Sequence, residues 1–593
     1  MRVALINLPT FSSLRPSLQL SQLKSVLISA GYTCDVYYLN LYFAQAIGQS
    51  IYEGISRCSD ILLGHWLFSS TLFGSESPHS SNYLEVYLAR ISSELELSSQ
   101  DTRHLMNELR NHMAPKFLKD HATKICSINY SCVGFTCTFS QLTSSLSFAK
   151  EIKTRNPKII TVLGGAEVEG EMGQEVARLS PQIDVISQGE GENFFISLAE
   201  LLEHKKPIPK FITSNSYIDL NALPMPDHSD YYDTVSSLRV AEISENADRV
   251  PIEGSRGCWW GQKHHCTFCG LNDDGMTFRS KTSATLRKEI EVQSRNYSRY
   301  KFEFTDNILD YKYFDSLLPS LIEANTNLSF FAETKANLDF EKLFTLKRAG
   351  FDIIQPGIES LSSHVLKIMK KGTSAMQNLM LLKNAASLNI QIVWNILYGF
   401  PGERDEDYED QIKLIPLITH LSPPVSVGKI RLDRFSPYFN EITKGQTQNF
   451  ANVKPANFYN LIYPKEWDIY KLAYFFSGEA RTHVQTPTYK RFEEESMRWK
   501  NLWDSEFPPR LMLKRSFETG HVIDNRSGHG NEITELDEGA FKLVKHIDKK
   551  ALTLISLKNC DDLRNMDVEQ ILDELVDNGF VAKIDDKYIS LLL

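Results

Sequence analysis

Cys258, Cys266 and Cys269 stand at the spacing C-x7-C-x2-C in a stretch punctuated by Gly254, Gly257, Gly261 and Gly270. Glycine at that density marks a loop rather than a packed element, and a loop can fold back to aim three thiolates at one point. On an iron–sulfur cube, three protein thiolates leave one iron open to an external ligand, unlike the electron carriers whose clusters are fully ligated by four cysteines. An open iron implies chemistry on a substrate. The competing reading is a zinc ion held by the three cysteines with His264 or His265 as fourth ligand. Zinc sites of that kind usually come as two separated ligand pairs, and the second pair is missing here.

The rest of the chain narrows the class. It has 593 residues, 64 Lys+Arg against 74 Asp+Glu for a formal charge of −10, and 42% apolar residues. That is an ordinary globular composition, with length for two or three domains. The acidic balance, without a long basic run, offers no footprint for a nucleic-acid backbone. No apolar run approaches the ~18 residues of a membrane span, the longest candidates being short runs such as Ile61 to Leu63. Met1 to Pro9 lacks the apolar core and cleavage site of a signal peptide and reads as a first strand, so a cytoplasmic protein is expected. Nine unevenly placed cysteines do not suit a disulfide scaffold.

Residues 1–222 alternate strand and helix patterns: Val3 to Asn7, Leu18 to Ala30 with Gly31 as the stop, Cys34 to Leu39, then Ser131 to Thr136, Ser144 to Thr154, Ile159 to Leu163 and Ile183 to Ser187. This predicts an open parallel α/β sheet. A polar, helix-leaning insertion rich in Ser and His spans about 50–125, with no role legible in it. After the connector Leu223-Pro224-Met225-Pro226-Asp227, residues 223–440 read as a partial or complete parallel barrel of five or six strand–helix units: Lys301 to Thr305, Leu328 to Glu333, Ile353 to Ile358, Gln391 to Tyr398 and Gly428 to Phe435. In such barrels chemistry sits at the C-terminal strand ends. Residues 441–510 are aromatic-rich and helical. Residues 511–593 suit a small α+β, winged-helix-like module, closing with a helix from Val568 to Asn578 and a hairpin turning at Asp585-Asp586.

The cysteine phrase, with Ser255-Arg256-Gly257-Cys258-Trp259-Trp260-Gly261 leading to His265-Cys266-Thr267-Phe268-Cys269-Gly270-Leu271-Asn272, resembles the radical S-adenosylmethionine (SAM) superfamily, in a departure from its usual C-x3-C-x-φ-C. The wider phrase resembles the radical SAM proteins of ribosomal-peptide (RiPP) maturation, a branch of the cobalamin-dependent group. The resemblance implies a partial TIM-type (β/α)6 barrel carrying a 4Fe-4S cluster on Cys258, Cys266 and Cys269, its open iron chelating the methionine part of SAM. Phe268 matches the aromatic position beside the adenine, with loop packing as its bland alternative. Asp306 matches a strand end that meets the methionine part. Glu333 and Lys335 offer both signs to a zwitterion. Glu359 and Ser360 match the ribose-binding strand end, and Asn395 the region near adenine and ribose.

By the same resemblance the N-terminal sheet is a flavodoxin-like (Rossmann-type) cobalamin-binding domain, whose ligand lies across the C-terminal strand edge. Thr138, Ser140 and Leu142, then Gly164 and Gly165, then Gly189 and Glu190 echo its contacts to the nucleotide tail. Ordinary βα turns would look similar. Many cobalamin proteins carry D-x-H-x2-G after the second strand, whereas Leu39-Asn40-Leu41-Tyr42-Phe43 has no histidine. Cobalt would then lack a protein imidazole from this loop.

The implied activity is C-methylation of an unactivated carbon in a ribosomally made precursor peptide, using SAM and cobalamin and a reductant such as flavodoxin or ferredoxin. The alternatives are a radical outcome without methyl transfer (epimerisation, hydroxylation, a cross-link or a rearrangement) and a non-catalytic metal-binding peptide scaffold. The C-terminal module would hold the substrate's leader by adding a strand to its sheet edge, or else serve as a cap or dimerisation domain. No nucleic-acid or membrane partner is expected.

Overall fold

The structure is a computed structural model that describes residues 1–74, 80–214, 217–239, 249–271, 276–446, 448–516, 519–528 and 530–593. It divides into two compact units. One comprises Met1–Ile252, Lys288–Lys301 and Lys454–Ser477; the other comprises Glu253–Arg287, Phe302–Val453 and Gly478–Leu593. The composition boundaries near 222 and 440 thus fall inside units rather than between them.

The first unit is built on a sheet of six strands: β1 Arg2–Asn7, β2 Thr33–Tyr38, β3 Cys132–Thr136, β4 Ile160–Gly164, β5 Val185–Gln188 and β6 Phe211–Thr213. They lie in the order β2-β1-β3-β4-β5-β6, with every pairing parallel. Near-continuous apolar runs such as Val3-Ala4-Leu5-Ile6 are buried on both faces, as a parallel sheet between helical layers demands. The core joins Val3, Leu5, Val36, Cys132 and Val162 to helix residues Leu27, Phe194 and Leu198. Strand order reverses between β1 and β3, which opens a crevice at their C-terminal ends. The described residues between β2 and β3 are mainly helical, from Leu39–Ile47 to Ala114–Cys126. It includes the helix Leu63–Phe73, whose Gly64, His65, Trp66, Leu67 and Phe68 are all buried.

The strands Lys301–Phe304, which enters the second unit at Phe302, Ser329–Thr334, Phe351–Pro356 and Gln391–Ile392 are consecutive neighbours in one sheet. The strand expected over 391–398 is interrupted, resuming at Asn395–Tyr398 and pairing in parallel with Ser426–Lys429. Val393 and Trp394 lie between the two pieces. The Trp394 indole is 1% exposed and donates to the carbonyl of Ser422 at 2.9 Å, so the break accommodates a large buried ring.

The C-terminal part of this unit has an antiparallel sheet of Leu511–Ser516, Thr519–Asp524 and Glu532–Leu536, then the helices Glu538–His546 and Val568–Asp577. A hairpin of Val581–Ile584 and Lys587–Ser590 closes the chain, with Asp585 and Asp586 both at positive φ, as a two-residue type I′ turn requires. His420 Nε2 at 2.9 Å from the Leu591 carbonyl, Arg526 donating to the Leu417 carbonyl at 2.6 Å, and the Lys383–Asp548 ion pair tie this part to the preceding strand–helix part of the unit. Among the described residues no helix is long and apolar enough to cross a membrane.

Candidate active site

The cysteine loop is shaped by backbone constraints. Gly257 has φ +78°, and a Cβ there would lie 2.5 Å from the Thr277 carbonyl oxygen, so only glycine fits the turn into Cys258. The seven-residue spacer coils. Gln262 N–H donates to Cys258 O at 2.8 Å, His264 N–H to Trp260 O at 2.9 Å and His265 N–H to Gly261 O at 3.0 Å. These are helical i→i−4 bonds, and four residues more than C-x3-C amount to about one helical turn. The longer spacing is thereby absorbed, and Cys266 returns beside Cys258. His265 Nε2 lies 2.9 Å from the carbonyl of Cys269, and the ring of exposed His264 packs on Trp260 at 4.2 Å. Among the described residues no group of three or more His, Cys, Asp or Glu forms a single-ion site.

A cavity of about 280 Å³ opens beside this loop. Its lining includes Cys258, Cys266 and Cys269 together with Phe268, Glu333, Lys335, Glu359 and Asn395. Eight of the ten residues named from sequence for cluster and SAM therefore meet around one space. The Phe268 ring sits 5.7 Å from Phe400 in an edge-on contact. Asn395 accepts from the Ser426 hydroxyl at 2.7 Å. Glu359 takes φ +59°, rare for a residue with a side chain, and its carbonyl accepts from Leu397 N–H at 3.0 Å. Strain of this kind persists where the surroundings over-determine it, commonly at ligand clamps.

The other two residues lie elsewhere. Asp306 is 2% exposed and outside the lining; its carboxylate accepts from Gly254 N–H at 2.7 Å and from the Ser255 hydroxyl at 2.7 Å. It braces the backbone that leads into the cysteine loop, and burial pushes its carboxyl up to about 7. Ser360 is 1% exposed, and its Oγ accepts from Ser362 N–H at 3.1 Å. Asn272, the last residue of the cysteine phrase, lies outside the described residues.

The charged groups of the cavity are desolvated. Burial, reinforced by Glu359, pushes the Glu333 carboxyl up to about 7. Burial, then Lys371, pulls the Lys335 ammonium down to about 8. Burial also raises the Cys258 thiol, and the Cys269 thiol to about 12. Lys371 went unnoticed in the sequence. Its Nζ lies 3.3 Å from Glu359 Oε1, and although burial opposes its charge, Glu359 and Cys266 outweigh that and hold the ammonium above its ordinary value. A Cβ on Gly357 would come 2.5 Å from that Nζ. Its one advance signal was a lysine in the Lys370-Lys371-Gly372 turn that follows the Glu359 strand end.

In the first unit, the residues named from sequence stand at the sheet's C-terminal edge. The Thr138 hydroxyl donates to Gln141 Oε1 at 2.8 Å, and the Gln141 amide donates to Asn7 Oδ1 at 2.9 Å and to Leu8 O at 2.6 Å. Ser140, at φ +79°, is 2% exposed, and its buried hydroxyl has no partner among the described residues. Leu142 opens the helix Leu142–Arg155, with its N–H 3.3 Å from His65 Nε2. Gly165 takes φ +112°, and a Cβ there would meet the Cys137 carbonyl oxygen at 2.4 Å; Gly164 faces Ser187. Gly189 N–H donates to Glu169 Oε1 at 2.9 Å, and Glu190 accepts from Ile218 N–H at 3.0 Å. His65, supplied by the helical insertion, was not foreseen. Its Nε2 lies 2.9 Å from Glu167 Oε1 and 3.3 Å from Leu142 N, and its Nδ1 3.0 Å from the Tyr463 hydroxyl, so it ties the helix start after β3 and the loop after β4 to Tyr463.

Residues 252–415 match the family model of the Radical SAM superfamily. The chain thus carries a radical SAM domain over the segment that holds the three cysteines and the whole cavity lining. It is 26% identical over 294 residues to an uncharacterized methyltransferase of Pyrococcus horikoshii, covering 47% of this chain and 63% of that one. It is 23% identical over 283 residues to the bacteriochlorophyllide d C-12(1)-methyltransferase of Chlorobaculum tepidum, covering 44% and 58%. The chain spans about three fifths of the length of these curated relatives. In three dimensions it resembles the radical SAM methyltransferase TsrM of Kitasatospora setae, with a TM-score of 0.55 at 13% identity over 84% of this chain and 88% of that one. It also resembles the cobalamin-dependent SAM radical enzyme OxsB, with a TM-score of 0.52 at 14% identity over 85% and 67%. At those identities the likeness is one of fold.

Proposed function

We propose that the chain is a cobalamin-dependent radical SAM enzyme that methylates an unactivated carbon of a ribosomally made precursor peptide. The observation that carries the radical half is the convergence of three thiols with a carboxylate and an ammonium, Glu333 and Lys335, around one cavity. When bound there, a 4Fe-4S cluster and SAM supply a carbon-centred radical on receipt of an electron, and cobalamin supplies a transferable methyl group. Cys258, Cys266 and Cys269 would hold the cluster. Glu333 and Lys335 would meet the charged amino-acid end of SAM, Glu359 would accept from the ribose hydroxyls, and Phe268 would flank the adenine.

Cobalamin fits the first unit on one structural ground. The orphaned Ser140 hydroxyl is buried at the strand edge where a nucleotide tail would run, and a buried hydroxyl without a partner is costly unless a ligand completes it. Thr138, Leu142, Gly164, Gly165, Gly189 and Glu190 would complete that seat. The methyltransferase relatives support the same outcome.

The peptide reading rests on the winged-helix-like C-terminal module. Glu532, Ile533, Thr534 and Glu535 of its edge strand are exposed, and that strand ends its sheet, which suits addition of an extended leader. The RiPP-maturation resemblance points the same way, and a flavodoxin or ferredoxin would supply the electron.

The test is anaerobic purification from cobalamin-fed cells, followed by incubation with SAM, a reductant and the precursor peptide. The expected result is about four irons and one cobalt per chain, release of 5′-deoxyadenosine, and a peptide heavier by about 14 Da. Deoxyadenosine with an unchanged peptide mass points to epimerisation or rearrangement. About one zinc per chain without iron would overturn the reading.

A further inference from the structure

Glu333 belongs to the strand Ser329–Thr334 and Lys335 follows its end, and both line the cavity. A carboxylate and an ammonium two residues apart are near enough for their long side chains to pair. Here the Lys335 ammonium lies 3.5 Å from the centroid of the Trp260 ring and donates to the Lys371 carbonyl. The ion pair formed among these cavity residues is instead Lys371 with Glu359.

The Trp260 ring is held from several sides. Its indole N–H donates to the Lys370 carbonyl at 3.1 Å, and His264 stacks against it. Gly372 lies beneath it at φ +64°, where a Cβ would come within 2.1 Å of the ring. The bare glycine is what admits the indole. Trp260 also belongs to the extra helical turn that distinguishes this cysteine loop, so the lengthened spacer brings a rigid aromatic face to the cavity.

We propose that Trp260 is a positioning residue: by holding the Lys335 ammonium on its face, it keeps that cation out of an internal pair with Glu333 and leaves separated charges for the amino-acid end of SAM. The inference rests on reading the cavity as a SAM site. An ammonium over an indole gains about 1–2 kcal/mol when partly desolvated, which at about 1.4 kcal/mol per tenfold corresponds to about a five- to thirty-fold change in affinity.

The test measures equilibrium binding of SAM and of 5′-methylthioadenosine, which keeps the nucleoside and thioether but lacks the amino-acid end, to the full-length protein loaded with its cluster. Trp260→Leu should weaken SAM binding by about five- to thirty-fold, leave 5′-methylthioadenosine binding and iron content within twofold, and be largely rescued by Trp260→Phe. Lys335→Met should reproduce the SAM loss, and the double variant should add little to either. Equal weakening of both ligands, or no weakening, would overturn the assignment of Trp260 while leaving the SAM site in place. A wild-type protein that binds 5′-methylthioadenosine as tightly as SAM would instead overturn the reading of the cavity itself.

Discussion

Asp306 makes the pH dependence of the second unit predictable. Its carboxyl is raised by burial from an ordinary 3.8 to about 7 in the folded protein, although the Ser255 hydroxyl and the Gly254 N–H oppose the rise. Because the folded form holds its proton more tightly than the unfolded form, this residue's stabilisation is fully present below pH 3.8 and is lost as pH rises through about 7. At about 1.4 kcal/mol per pH unit, the loss between pH 5 and pH 8 is about 3 kcal/mol. Asp306→Asn removes the titration and keeps an oxygen to accept from Gly254, at the cost of reversing the Ser255 hydrogen bond, about 1 kcal/mol. Thermal unfolding of both proteins at matched pH isolates the residue, since all other groups titrate alike. The variant should be slightly less stable near pH 5 and should overtake the wild type by pH 8. A difference between the two that stays flat within about 0.5 kcal/mol over that range would refute the reasoning.

Three further outcomes follow from single contacts. Replacing Cys258, Cys266 or Cys269 individually by alanine should abolish iron binding and the cluster's visible absorbance, and retention of a full iron complement by any one variant would remove that cysteine from the ligand set. Gly372→Ala forces a Cβ into the Trp260 ring at a positive φ; it should destabilise the protein by about 1–3 kcal/mol, measured by denaturant unfolding, and quench or shift the tryptophan emission. Ser140→Ala leaves the apo fold intact because the hydroxyl has no partner there. It should weaken cobalamin binding, followed by absorbance titration, by about fivefold, the worth of one hydrogen bond.

Much of the fold is written in local pattern. The apolar runs at Val3, Val133 and Ile160 and the helix signal ending at Gly31 predict the parallel sheet to within a residue or two, because strands buried on both faces need continuous apolar stretches. The short strand Phe211–Thr213 was not anticipated; three residues give no period to detect. The break at Val393 and Trp394 was invisible because both residues are apolar and β-compatible, so nothing local separates Gln391–Ile392 from Asn395–Tyr398. The insertion was legible as helical, yet the place of His65 against Glu167 and Tyr463 joins residues that lie far apart in sequence.

The candidate site divides along the same line. Cysteine spacing and loop glycines depend on residues that are neighbours in the chain, so the sequence alone determined the thiol cluster, and the order of strand ends after it marked Glu333, Lys335, Glu359 and Asn395. What each side chain does with its charge depends on neighbours from other strands and turns. Tertiary structure alone decided that Asp306 braces Gly254 and Ser255 outside the cavity, that Lys371 reaches Glu359, and that Trp260 receives the Lys335 ammonium. Burial and hydrogen bonding select among a carboxylate's possible partners, and both are properties of the packed chain rather than of any stretch of it.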